Sequence, residues 1–113
     1  MTMNKDLQQK INQLSMIEQN VQQFSVQKQQ FQAQLVEVES AEKELEHAKE
    51  TYKIVGNIMV AKGKDDLKQE LSEKKEIIAM RIESFEKQED KLKEKAAALQ
   101  KEVLEEMKGG QAE

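Results

Sequence analysis

The chain has 113 residues, of which 35% are charged and only 4% aromatic, with a net charge of −4. That length allows one domain at most, and large apolar side chains are too sparse for a single compact core. The charges alternate in sign on an acidic background, so no nucleic-acid partner is expected. There is no cysteine, no proline and no tryptophan. A chain without cysteine can form neither disulfides nor thiolate metal sites, which fits a reducing, intracellular compartment. The opening MTMNKDLQQK has no apolar h-region, so no secretory signal is expected. No run approaches the ~18 apolar residues of a membrane span, so no membrane association is expected either. The expected location is the cytoplasm.

Residues 3–48 contain no glycine and predict a first long helix. An alternating 3-4 spacing picks out Met3, Leu7, Lys10, Leu14, Ile17, Val21, Phe24, Lys28, Phe31, Leu35, Val38, Glu42 and Leu45, of which ten of thirteen are apolar. That is the seam of a coiled coil. Eleven glutamines between Gln8 and Gln34 fill the other faces. Glutamine favours helix, and the apolar period runs straight through the tract. Single histidine His47 stands among Glu44, Glu46 and Glu50. Successive residues of a helix point in different directions, so these predict solvated surface and not a metal site.

The segment TYKIVGNIMVAKGKDD, residues 51–66, contains a Gly-Lys pair and could be mistaken for a phosphate-binding loop. Such a loop needs G-x-x-x-x-G-K-[ST]. Here six residues separate Gly56 from Gly63, and Asp65 stands in place of the hydroxyl. A β-hairpin over about 51–62 is the better reading. TYKIV and IMVAK favour strand, and Gly56-Asn57 suits a two-residue type II′ turn. In that register Val55 faces Ile58, Ile54 faces Met59 and Tyr52 faces Ala61. A lone hairpin is marginal in water, and this one carries apolar groups on both faces. Tyr52, Ile54, Val55, Gly56, Ile58, Met59 and Val60 are therefore expected to form an oligomerisation surface that pairs with other chains.

Residues 66–108 predict a second helix with the seam Leu71, Lys75, Ile78, Ile82, Phe85, Glu89, Leu92, Ala96, Leu99, Val103 and Glu106, of which eight of eleven are apolar. Asp66 with Gln69 resembles a capping box at its start. Glu70–Lys74, Glu83–Lys87 and Glu89–Lys93 are spaced for intrahelical pairs. Gly109-Gly110 is expected to stop the helix, leaving a tail over 109–113. Two near-equal helices joined by a short strand-rich break predict a mainly α fold: a long antiparallel coiled-coil hairpin with one central β-hairpin.

The YKIVGNIMV segment, the KGKDDLKQEL entry into the second helix and the flanking coiled-coil halves resemble the β-type subunits of the prefoldin family over nearly the whole chain. The related α-type subunits are longer and carry two β-hairpins, and this chain has room for one. The resemblance implies a hetero-hexamer of two α-type and four β-type subunits, with the β-hairpins closing into a double-barrel platform from which the coiled coils hang. It also implies ATP-independent capture of unfolded proteins and their delivery to a group II chaperonin, with no cofactor and no catalysis. The alternative that the residues leave open is a structural coiled-coil adaptor, a homodimer or tether, which would have no use for the strands.

The ends of the helices farthest from the β-hairpin are where client binding is expected. A two-helix coil needs only its seam to be apolar, yet Ile11, Met16, Leu104 and Met107 lie off it. Met3, Leu7, Leu99 and Val103 are seam residues that a fraying end would expose. Methionine adapts to varied partners. Val26, Val36, Ile77 and Met80 are also off the seam but farther in, and are expected to broaden the core. The charged run Lys101, Glu102, Glu105, Glu106 and Lys108 suits a solvated surface. The resemblance adds chaperonin docking as a role for it.

Overall fold

The computed structural model describes residues 5–112, and the side chains of 5–109. Its elements are α1 (Lys5–His47), β1 (Tyr52–Val55), β2 (Ile58–Ala61) and α2 (Lys64–Ala112). The two helices pack as a hairpin with the antiparallel strand pair at their connection, as the paired periodicities predict. They pack in two units, one combining Met1–Gln27 with Ser84–Glu113, the other Lys28–Glu83.

In the first unit the Phe24 and Phe85 rings meet at 5.8 Å between centroids, tilted by 41°, a favourable aromatic geometry. Lys10 crosses the seam to Glu106. In the second unit the Arg81 guanidinium stands 5.5 Å over the Phe31 ring, a cation–π contact. Lys75 reaches Glu42 at 3.6 Å. Every seam position from Leu7 to Leu45 is buried or half-buried, and so is every one from Leu71 to Glu106 except Lys75.

Val26, Val36, Ile77 and Met80 are exposed, against expectation. Each helix has one partner, and one partner covers only the 3-4 row that faces it. A residue off that row, whether beside it as Val36 and Ile77 are or midway between two of its residues as Val26 and Met80 are, has little to pack against within the chain.

The helix ends also differ from the expectation. α2 begins at Lys64, so Asp65 and Asp66 lie inside its first turn, where carboxylates favour the unpaired N–H groups. Gly63 takes the capping place, its carbonyl accepting from the Leu67 N–H at 3.1 Å. At the other end α2 runs through Gly109-Gly110 to Ala112 instead of stopping at 108. Glycine permits the left-handed cap that ends a helix but does not impose it. Among the described residues only Gly56 has a positive φ.

The strands pair Tyr52 with Ala61, Lys53 with Val60, Ile54 with Met59 and Val55 with Ile58, the register that a Gly56-Asn57 turn dictates. Gly56 has φ 61° and Asn57 has no positive φ, the signature of a type II′ turn. The ladder continues one step beyond the strands. The Lys62 N–H donates to the Thr51 carbonyl at 3.0 Å, and the Thr51 hydroxyl donates to the Lys62 carbonyl.

Candidate functional site

Two surfaces emerge. The first is the β-hairpin. All eight strand residues are exposed, with the large apolar ones running from 46% exposure at Val60 to 69% at Ile54. Alternation puts Tyr52, Ile54, Met59 and Ala61 on one face, and Val55, Ile58 and Val60 on the other with Lys53. Both faces and both outer strand edges are open, so the segment offers apolar contact and unpaired backbone groups together.

Its base is tied to the helices by polar contacts. Lys62 and Lys53 both converge on Glu70 of α2, Lys53 at 3.0 Å. Hydrogen bonds from Lys62 and then Lys53 hold the Glu70 carboxyl below its usual range, with partial desolvation opposing them. Glu70 thus serves the strands and not Lys74, the partner its spacing indicates. The Tyr52 hydroxyl donates to Glu50 at 2.8 Å. The lysine of the Gly-Lys pair, Lys64, donates to the Glu46 carbonyl at 2.8 Å. That contact satisfies an end carbonyl of α1, which the helix dipole favours.

The second surface lies at the other ends of the helices. Met3 lies outside the described residues. Leu7 and Val103 are buried in the seam, and Leu99 and Ile11 are half-buried. Met16, Leu104 and Met107 are exposed. Ile11, Leu104 and Met107 share one flank of the antiparallel pair, and Met16 occupies the other. Of the charged run, Lys101, Glu102, Glu105 and Lys108 are exposed, whereas Glu106 is half-buried and paired with Lys10. Lys10 also meets Asp6 at 3.3 Å and Glu102 at 3.6 Å. The Glu106 hydrogen bond holds the ammonium well above its ordinary pKa, with desolvation opposing and Asp6 assisting. Sequence reasoning placed Lys10 in the seam but not at the centre of three carboxylates. A lysine and a glutamate interrupting two antiparallel seams at matching depth was the available signal.

Among the described residues no group of His, Asp and Glu is placed to hold a metal ion, and no helix is long and apolar enough to cross a membrane. His47 closes α1.

The family model described as "Prefoldin subunit" matches residues 8–110. The chain belongs to the prefoldin family, as a β-type subunit. It is 38% identical to the prefoldin subunit beta of Archaeoglobus fulgidus over 82% of this chain and 83% of that one. It is 34% identical to the corresponding subunit of Pyrobaculum aerophilum over 95% and 90%. Among solved structures, the prefoldin beta subunit from Thermococcus strain KS-1 superposes with a TM-score of 0.84 at 33% identity, covering 90% of this chain and 92% of that one. Prefoldin subunits are chaperone subunits without enzymatic activity.

Proposed function

We propose that this prefoldin subunit assembles through its β-hairpin with α-type partners, four copies to two, and that the complex holds unfolded proteins at the free ends of its helices without ATP. Delivery to a group II chaperonin in the cytoplasm follows, with exposed Lys101, Glu102, Glu105 and Lys108 as the docking charges. The observation that carries client binding is the exposure of Met16, Leu104 and Met107 where the seam has no need of them. Each contact contributes about 25 cal/mol per Å² of apolar surface covered, and several ends acting on one client multiply weak contacts into firm retention.

The test changes Met16, Leu104 and Met107 together to serine, leaving half-buried Ile11 in place. Assembly mass with an α-type partner is measured first, then suppression of aggregation of a chemically denatured protein. The expected result is an unchanged mass with protection reduced severalfold at limiting concentration. Equal protection would move client binding away from the free ends.

A further inference from the structure

Both seams carry charges at the same places. Counted from the β-hairpin, the second, sixth and eleventh positions of the α1 seam are Glu42, Lys28 and Lys10, and those of the α2 seam are Lys75, Glu89 and Glu106. At each place the signs are opposite. Glu42 meets Lys75 at 3.6 Å, and Lys10 meets Glu106. Glu89 is 5% exposed, the one buried charged side chain among the described residues, and Lys28 is half-buried. A charge withdrawn from water costs free energy unless an opposite one faces it, so apolar residues at these places would make a more stable seam. Charges at uneven intervals make a more selective one.

A shift of one place toward the β-hairpin sets Glu42, Lys28 and Lys10 against Leu71, Phe85 and Val103. Two α1 seams side by side in parallel oppose like charges at all three places. Antiparallel, two α1 seams match Glu42 with Lys10 at best and leave Lys28 against Phe24. An antiparallel α2 seam in the native register gives each of the three its opposite. We infer that these charged places are a register lock, which confines the α1 seam to one alignment on one partner, α2. A polar residue at a seam position specifies register and partner while weakening the coil. The lock thus gives up some stability of the helical pair for a single arrangement of it.

The experiment measures alignment in the full chain. The sequence has no cysteine, so spin labels on Ala33→Cys and Lys68→Cys, both exposed, report one distance when labelled copies are diluted in unlabelled ones. The two sites stand several seam places apart, so sliding changes their separation, and one heptad is about 10 Å of slide. The first variant reverses α1 alone: Lys10→Glu, Lys28→Glu and Glu42→Lys. It sets like charges together at every place and is expected to lose the wild-type distance. The second adds Lys75→Glu, Glu89→Lys and Glu106→Lys, which makes the places complementary again, and is expected to regain that distance. The third puts leucine at all six positions. It is expected to raise Tm by at least about 5 °C and to add a distance displaced by at least about 5 Å. A role in stability alone would give the leucine variant a higher or lower Tm with the wild-type distance kept. That result overturns the lock, and so does a wild-type distance in the first variant or its absence from the second. If the leucine variant aggregates, the two reversal variants decide.

Discussion

The helical seam and the strand pair draw on the same kinds of residue and end on opposite sides of the solvent boundary. Val38 and Ile78 are 5% and 3% exposed, whereas Ile54 and Ile58 are 69% and 66% exposed. The difference lies in where the partner is. Each seam repeats every 3-4 residues, and the chain carries a second copy of that repeat to bury it. The strands satisfy one inner edge and leave two outer edges and two faces open. Apolar residues whose period is matched within the chain stabilise the fold. Those whose period is matched nowhere in it stay exposed within the chain.

The strongest way to break this contrast is to charge the strands. Val55→Asp with Ile58→Asp is expected to abolish higher assembly while most helix survives, as read by light scattering and circular dichroism. An unchanged oligomer would make the strands ornamental. A seam change should do the reverse. Ile78→Ala deletes a nearly fully buried side chain and is expected to lower stability by about 2–4 kcal/mol, seen as a lower Tm, while the subunit still assembles at temperatures where it is folded. Comparable loss of assembly from both variants would erase the distinction.

The smallest effect concerns the junction between the two regions. The pKa of Glu70 is lowered in the fold, chiefly by Lys62 and then by Lys53. Its contribution is therefore present above the ordinary carboxylate range and disappears as pH falls through the lowered value. Protection of the strand amides, measured against the intrinsic exchange rate at each pH, should fall on acidification before helix content falls. Glu70→Gln should show the lower protection already at neutral pH and lose that acid step. An acid step that survives in Glu70→Gln would assign it to another carboxylate.

Much of the candidate surface was legible because its signals are local. A Gly-Asn pair between two β-branched runs leaves one register open, so the facing pairs of the strands could be written down from the turn alone. The exposure of side chains at the free helix ends was legible in part. Met16, Leu104 and Met107 lie off the seam and are exposed, whereas Ile11, no farther from it, is half covered. Leu7 and Val103 are covered altogether, because the seam stays closed around them. Glu70 was misassigned to Lys74 since spacing along one helix says nothing of a strand that folds back over its first turns.

By itself, the sequence determined the period and the central break: two matched 3-4 seams, one II′ turn and a Gly-Lys pair without the spacing of a phosphate loop. These are properties of neighbours in the chain, set by dihedral preferences and helical geometry. The tertiary structure decided which off-seam residues are covered, that α2 carries on through Gly109-Gly110, and which carboxylates share Lys10 and Glu70. Those outcomes depend on the distance between segments remote in sequence. With one helix as the only partner of another, most apolar side chains outside the facing row stay in water.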